Sequence, residues 1–250
     1  MPSKITFGAV TITWLGHDGF LIEGGGRSVV IDPFRVKVQG RKVDVAFVTH
    51  DHFDHCSPDD LRAFVDPAAT TVVAAANCSR ALSGLKAKEV RYVRPGDSGE
   101  VSVVRYRTFR VYELGERAAR TIVYREVSGV KFRAVHAYNV NKFRAPGQPF
   151  HPKEYGGVGY VVELEGVSVY HAGDTDFIPE MRELGPVDVA LLPVSGTYVM
   201  TAEEAAEAAK VISPRLAIPM HFGAIVGTVK DAEKFRSLVS VRVEVLEPEG

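Results

Sequence analysis

The chain has 250 residues, a formal net charge of −1, 46% hydrophobic residues and 24% charged residues. These values are typical of an ordinary soluble globular protein, either one large domain or two small ones. No run of about 18 apolar residues occurs, so no membrane-spanning helix is predicted. The two cysteines suggest no disulfide framework. Because the N-terminus shows no signal-peptide pattern, we expect a cytoplasmic protein.

The N-terminal region predicts antiparallel strands. Apolar runs with strand character lie at 5–15, 20–22 and 29–31. The glycines at 24–26, between the last two runs, indicate a hairpin turn. This start differs from that of a doubly wound nucleotide-binding fold. His17 lies in the turn between the first two strands, and Asp32 directly follows the third.

A dense group of ionisable residues follows the buried strand predicted at 45–48. The group consists of His50, Asp51, His52, Asp54 and His55. A helix is predicted to begin at 57–60. The serine at 57 can cap it, the proline at 58 suits the first helical position, and the aspartates at 59 and 60 lie in the first turn. Imidazole and carboxylate groups at this density suit zinc, and equally manganese or iron. The alternative is a helix cap with solvated histidines. Five such groups beside a buried strand would, however, repel or desolvate one another without a cation.

Helices and strands alternate through the next part of the chain. The pattern predicts helices at about 58–65 and 77–85 and strands at 71–75 and 89–93. This alternation is typical of the α/β half of a sandwich layer.

The segment 91–144 is strongly basic. It holds 12 Lys and Arg against 5 Asp and Glu, an excess of +7, whereas the rest of the chain holds 18 against 26, or −8. From 100 to 137 the pattern is strand-like, with hairpin turns predicted at Gly115 and Gly129. Most of the excess lies here, at Arg105, Arg107, Arg110, Arg117, Arg120, Arg125, Lys131 and Arg133. Two interpretations stay open: edge strands guarded by charges, or a basic flap that binds an anionic substrate or a nucleic acid backbone.

Two later strand-like runs also end in residues that bind metals. The run 167–170 leads to Asp174, and the run 216–220 leads to His221. Further helices are predicted at about 177–184, 201–212 and 231–239, and further strands at 158–162, 187–194 and 241–246.

The pattern His50-x-His52-x-Asp54-His55 resembles the signature of the metallo-β-lactamase superfamily, and Gly173-Asp174-Thr175 resembles its Gly-Asp-Thr motif. The resemblance covers nearly the whole chain and is weakest at about 98–130. It implies one domain over 1–250, a four-layer αββα sandwich with a basic hairpin elaboration at 98–130. It also implies two divalent metal ions, zinc in the first place and manganese or iron as alternatives.

The resemblance further implies the ligands of both metals. They are His50 and His52 for the first metal, Asp54, His55 and His221 for the second, and Asp174 as the bridge. A carboxylate has two oxygens and can reach two cations about 3.5–4 Å apart, so Asp174 suits its position. Asp54 is also the candidate to accept or relay a proton.

One more histidine completes the first metal in the family pattern, and two compete for the place. His151 lies in the loop that leads to the later hairpin, and His136 lies at the end of the preceding strand. The sequence Phe-His-Pro-Lys around His151 resembles that of relatives and favours His151 over His136. His171 is expected to be structural.

Two residues near the motif have two interpretations each. Asp32 resembles a buried carboxylate that orients a ligating histidine, and the alternative is a turn cap before Pro33. His17 resembles a glycine-histidine turn residue that lines the cleft, and the alternative is a surface histidine.

The implied function is a hydrolase whose metal-bridging hydroxide cleaves an ester, lactone or phosphodiester bond of a small anionic substrate. The runs 191–194 and 218–222 resemble the lactonase-like branch, which includes ascorbate 6-phosphate lactonase and N-acyl phosphatidylethanolamine phospholipase D. One alternative is a nucleic-acid-processing phosphodiesterase of the same fold. Another is a non-catalytic metal-holding binding module. A homo-oligomer stays open.

Overall fold

Two seven-stranded mixed sheets lie at the centre of the molecule. The computed structural model describes residues 1–37, 41–112 and 119–249, and only the backbone at 107, 111–112 and 119–120. The predicted turn at Gly115 and the side chains of Arg107, Arg117 and Arg120 therefore lie outside the described part of the chain.

The first sheet contains the N-terminal strands in chain order. They are β1 (Lys4–Phe7), β2 (Val10–Gly16), β3 (Gly19–Gly24), β4 (Arg27–Ile31), β5 (Val45–Val48), β6 (Thr71–Ala75) and β7 (Glu89–Val93). Pairing is antiparallel from β1 to β4 and parallel from β4 to β7. Strands β5 and β6 are buried along their whole length, as strands covered on both faces must be.

Helix α1 (Pro58–Phe64) connects β5 to β6 and confirms the predicted helix after the histidine-rich turn. Ser57 caps it by accepting a hydrogen bond from the Asp60 amide, as expected from the sequence. The helix predicted at 77–85 is wrong, because only Ala76–Ser79 forms a single 3₁₀ turn. Asparagine, serine and glycine at 77, 79, 83 and 84 have low helix propensity and account for the difference.

The second sheet contains most of the remaining strands: β8 (Ser98–Tyr112), β9 (Ala119–His136), β12 (Val158–Leu164), β13 (Val167–His171), β14 (Val189–Pro193), β15 (Leu216–Met220) and β16 (Arg242–Val243). Their order in the sheet is β16-β15-β14-β13-β12-β9-β8. Strands β10 (Phe143–Ala145) and β11 (Gln148–Pro149) form a separate two-stranded pair. The strand predicted at 241–246 is shorter than expected, because β16 has only two residues.

Helices α2 (Ala202–Ile212) and α3 (Val229–Leu238) pack beside β14 and β15. Both helices begin with a capping box. The helix predicted at 177–184 is only a 3₁₀ turn at Pro179–Glu183, and a second 3₁₀ turn lies at Lys153–Tyr155. Among the described residues, no helix combines the length and apolarity needed to cross a membrane.

The two sheets pack face to face through one continuous apolar cluster. Phe47 of the first sheet packs on Phe132 and Tyr160 of the second, with ring centroids 5.5 and 4.8 Å apart. The buried Tyr160 hydroxyl donates to the carbonyls of Val48 at 3.0 Å and Val73 at 3.3 Å. With helices on the outer faces, the predicted αββα sandwich is confirmed.

Strands β8 and β9 form a long hairpin that extends beyond the second sheet. Only 131–136 of β9 pair with β12, so 119–130 pair with β8 alone. Gly129 pairs with Ser102 inside this ladder, and the hairpin turn predicted there is wrong. Large apolar side chains on the hairpin are exposed, including Tyr106, Phe109 and Tyr124.

Arg105 shows how this hairpin is placed relative to the histidine-rich turn. Its guanidinium lies 2.7 Å from the carboxylate of Asp44, which precedes β5, whereas His50 follows the opposite end of that strand. Arg110 lies further along the hairpin in the same direction. Neither arginine therefore faces the turn, and charged residues on the edge strand β8 match the first interpretation of the basic segment.

Candidate metal centre

Ligand-type side chains converge at one edge of the sandwich, where β5, β13 and β15 end. The turn after β5 carries His50, His52, Asp54 and His55, while Asp174 and His221 follow the other two strands. In this turn the amides of His55 and Cys56 both donate to the carbonyl of His52, at 3.1 and 2.8 Å. The turn is therefore tight.

The first group of donors consists of His50, His52, His151 and Asp174, whose ligand atoms all lie within 4.8 Å of one another. His151 Nε2 lies 3.4 Å from Asp174 Oδ2 and 3.2 Å from His52 Nδ1. His50 Nε2 lies 3.9 Å from the same Asp174 oxygen. The structure thus places His151 with the predicted ligands of the first metal.

The competing histidine lies elsewhere. His136 is half-buried at the end of β9, pairs with Val158 and contacts the ring of Tyr138 at a centroid distance of 6.1 Å. It does not belong to either group of donors among the described residues. Among the described residues, His151 and not His136 therefore lies with the other donors.

The second group faces the other oxygen of Asp174. His55 Nε2 and His221 Nε2 each lie 3.4 Å from Asp174 Oδ1. Asp54 Oδ2 lies 3.8 Å from His55 Nε2. Asp174 is thus shared between two sets of histidines, one set at each oxygen.

Unpartnered polar atoms test whether a metal fits here. His50 Nε2, His55 Nε2 and Asp174 Oδ1 are buried and have no hydrogen-bond partner among the described residues. Such atoms are rare in folded proteins because each one loses its hydration without compensation. Imidazole nitrogens and carboxylate oxygens are the donors that zinc and similar divalent metals take, so the residues present fit a metal pair.

The electrostatics of the first group favour neutral imidazoles. Burial lowers the pKa of His52, lowers that of His50 further, and lowers the pKa of His151 to about 4. A neutral imidazole keeps the lone pair that a metal needs.

The second group is dominated by Asp174. Burial acts to raise the pKa of this carboxyl, but the adjacent His55 and His221 outweigh burial and hold it well below its usual range. Burial likewise acts to lower the pKa of both histidines, and the negative charge of Asp174 outweighs it and raises them. A strong negative charge thus lies between the two groups.

Each of four histidines is held through its second ring nitrogen. The Nδ1 contacts are His50 with Thr49 Oγ1 at 3.0 Å, His55 with Asp32 Oδ2 at 2.9 Å, His151 with Asn139 Oδ1 at 2.9 Å, and His221 with Ser195 Oγ at 2.9 Å. In all four residues this contact leaves Nε2 directed at the centre. Such contacts fix ring orientation around metals.

Sequence reasoning identified Asp32 but not Thr49, Asn139 or Ser195 as partners. The alternative role of Asp32 as a simple turn cap is insufficient, because its oxygens take both the Thr49 amide at 2.9 Å and the imidazole of His55. Asn139 and Ser195 lie in loops, where spacing gives no signal.

His17 and His171 are buried rather than exposed. His17 Nε2 donates to Asp54 Oδ2 at 3.0 Å, which excludes the surface-turn interpretation. His171 Nε2 donates to the carbonyl of Asp18 at 2.8 Å, and its Nδ1 accepts from the Gly173 amide at 3.2 Å. Since both its nitrogens are engaged in backbone contacts, His171 has the structural role predicted for it.

The backbone around the centre adopts unusual conformations. His17, Asp32 and His221 have φ angles of 52°, 41° and 60°, a region that residues other than glycine rarely occupy. At Gly173, with φ of 64°, a Cβ would lie 2.8 Å from the Val158 carbonyl oxygen, so this position next to Asp174 requires glycine.

A cavity of about 410 Å³ opens beside the two groups. Four of the donors line it, namely His52, Asp54, His151 and Asp174. The other lining side chains are aromatic, aliphatic or basic: Phe53, Phe150, Tyr198, Ile225 and Arg144. Phe53 is 67% exposed there. Arg144 donates to the Phe150 carbonyl at 3.1 Å, with its guanidinium 5.8 Å from the Phe150 ring. Arg144 is thus a residue of the basic segment that does line the candidate site.

Comparisons with known proteins agree with this geometry. A family model described as a beta-lactamase superfamily domain matches residues 11–221. A UPF0173 metal-dependent hydrolase of Pelotomaculum thermopropionicum is 30% identical over 262 residues, covering 95% of this chain and 96% of the relative. One of Pyrococcus furiosus is 32% identical over 249 residues, with 95% of each covered. A solved structure of a candidate metal-dependent hydrolase from Parabacteroides distasonis is 26% identical, covers 99% of this chain and 100% of its own, and has a TM-score of 0.74.

Fold and site together define a metal-dependent hydrolase of the metallo-β-lactamase superfamily. Within that class, the chain belongs to the UPF0173 family of metal-dependent hydrolases.

Proposed function

We propose that this protein hydrolyses an ester, lactone or phosphodiester bond of a small anionic substrate and that its cofactor is a pair of divalent metal ions. The observation that carries the proposal is the position of Asp174, whose two oxygens face separate sets of histidines. The proposed ligands are His50, His52 and His151 for the first metal, Asp54, His55 and His221 for the second, and Asp174 as the bridge.

Zinc is the proposed metal, with manganese or iron as alternatives, because three imidazoles and a carboxylate suit a tetrahedral zinc site. When bound, the metal pair supplies Lewis-acid activation of water and of the bond to be cleaved. The remaining tasks belong to the side chains around the cavity.

The cavity side chains account for the proposed substrate class. The Arg144 guanidinium would attract an anionic group such as a carboxylate or phosphate. Phe53, Phe150 and Ile225 would pack on an apolar part of the substrate, and the exposed Phe53 would lose contact with water on binding. The proposed substrate therefore combines a negative charge with an apolar body.

Asp54 is the proposed proton acceptor or relay. Burial acts to raise the pKa of its carboxyl, but the hydrogen bond from His17 outweighs burial and lowers it, so Asp54 is ionised at neutral pH. Oδ2 is fixed by His17 Nε2 at 3.0 Å, while the side chain borders the cavity. A fixed, ionised carboxylate at the cavity wall can take a proton from water or return one to a leaving group.

The finer assignment to the lactonase-like branch rests on the resemblance at 191–194 and 218–222. We also propose one domain over 1–250, supported by the single buried cluster that contains side chains of both sheets.

A substrate panel tests the proposal. Metal-loaded protein would be assayed with a nitrophenyl ester, a lactone and a bis-nitrophenyl phosphate, each with and without a chelator. Chelator-sensitive turnover of one class that disappears in Asp174→Asn and persists in the control His136→Ala supports the hydrolase. Tight metal binding without turnover of any substrate would favour the non-catalytic binding module instead.

A further inference from the structure

Asp18 carries a buried carboxylate that the histidine-rich motif does not involve. It lies between β2 and β3, is 0% exposed, and neither of its carboxylate oxygens has a hydrogen-bond partner among the described residues. Its Oδ2 lies 3.6 Å from His55 Nδ1, beyond hydrogen-bond distance, and that nitrogen already contacts Asp32 at 2.9 Å. An unpartnered carboxylate away from water is costly, which indicates that a group is missing from its surroundings.

Neighbouring donors indicate what that group is. Ligand atoms of His17, Asp18, His55 and His221 all lie within 4.8 Å of one another. Two of these residues, His55 and His221, also face Asp174 Oδ1. Asp18 therefore lies on the buried side of the second donor group, while Asp54 lies on its cavity side, bound to His17.

We propose that Asp18 is an additional ligand of the second metal and makes that site richer in oxygen donors than the first. This inference rests on the metal pair of the proposed function. The second site would combine two imidazoles with the carboxylates of Asp18, Asp54 and Asp174.

The chemistry of the two donor sets then differs. Three imidazoles and one carboxylate suit four-coordinate zinc. Two imidazoles with three carboxylates suit a harder cation with more ligands, such as Mn²⁺ or Fe²⁺. The second site is thus expected to prefer Mn²⁺ over Zn²⁺ relative to the first.

The test uses the full chain and the metal ions alone. Wild type, Asp18→Asn and Asp18→Ser would be stripped of metal and titrated with Mn²⁺ and with Zn²⁺, with bound equivalents and thermal midpoints measured. Asp44→Asn is the matched control, since Asp44 is a buried carboxylate at the opposite end of β5. Two equivalents are expected in wild type and the control. The second equivalent is expected to bind about tenfold or more weakly in both Asp18 variants.

Thermal midpoints give a readout that is independent of activity. Asp18→Asn is expected to gain less thermal stability from Mn²⁺ than wild type does, because an amide is a weaker metal ligand than a carboxylate. An anomalous-scattering map of Mn²⁺-soaked wild-type crystals should place an Asp18 oxygen about 2.0–2.6 Å from the second cation. This crystal measurement needs no variant to fold.

The possible failures are distinguishable. Two equivalents with unchanged affinity in the Asp18 variants, or a second cation without an Asp18 oxygen in its coordination sphere, would overturn the inference and leave the proposed function standing. A wild-type protein that binds neither Mn²⁺ nor Zn²⁺ would overturn both.

Discussion

Asp32 accepts a hydrogen bond from the Nδ1 atom of His55 at 2.9 Å. Both side chains are completely buried, and Asp32 also takes the Thr49 amide, so one carboxylate fixes the start of the histidine-rich turn and one of its rings. This contact directs His55 Nε2 toward Asp174 Oδ1. The orientation of the His55 ring thus depends on Asp32, which lies 23 positions earlier in the chain.

Replacement of this carboxylate should weaken metal binding without removing a ligand. In Asp32→Asn the amide is a poorer acceptor for His55, so the ring loses part of its orientation and basicity. We expect metal affinity to fall about 10–100-fold, measured by titration of metal-free protein. Unchanged affinity would mean that Asp32 is only a turn cap before Pro33.

His151 and His136 give a paired test of the first metal site. His151→Ala should lose one metal equivalent and the chelator-sensitive activity, because its Nε2 lies 3.4 Å from Asp174 Oδ2. His136→Ala should keep both metals, since its ring packs near Tyr138. Elemental analysis of the two purified variants decides between them, and the reverse outcome would assign the ligand to His136.

Arg144 should contribute to binding of the anionic part of a substrate. Arg144→Ala is expected to raise KM about tenfold for an anionic ester, in proportion to a lost charged hydrogen bond, and to leave KM of a neutral ester unchanged. Arg105→Ala is the matched control, because Arg105 pairs with Asp44 at the other end of β5. Steady-state kinetics on both esters provide the check. Equal effects on the two esters would show that Arg144 does not recognise charge.

Tyr160 connects the two sheets without touching the donors. Tyr160→Phe removes the hydroxyl that donates to Val48 and Val73. The free energy of unfolding should fall by about 1 kcal/mol, measured by urea denaturation, with metal content unchanged. A loss of metal in this variant would mean that the inter-sheet contact also positions the turn after Val48.

Most of the proposed ligands could be predicted from the sequence, because they lie either within one short turn or directly after a buried strand. His50, His52, Asp54 and His55 share one turn, and buried strands deliver Asp174 and His221 to the same edge. His151 could be favoured only by resemblance, since the loop from 137 to 157 gives no spacing rule.

Other features depended on tertiary packing. In the sequence Asp18 resembles an ordinary acidic residue in a turn, and its burial is evident only in the folded structure. Asn139 and Ser195 contact His151 and His221, which are distant from them in the sequence. Gly129 resembled a hairpin turn, yet cross-strand pairing with Ser102 keeps it inside a long ladder. The 3₁₀ turns at 76–79 and 179–183 show that short, weakly helical runs do not specify full helices.

Asp174 is proposed to be shared by two metals, and the metal content of Asp174→Asn, compared with that of wild type, shows whether it is. Mass spectrometry of the purified proteins should find two equivalents of zinc, manganese or iron per wild-type chain and at most one in the variant, because an amide cannot replace a bridging carboxylate. Two equivalents retained in Asp174→Asn, with affinities equal to those of wild type, would show that Asp174 is not shared by two metals.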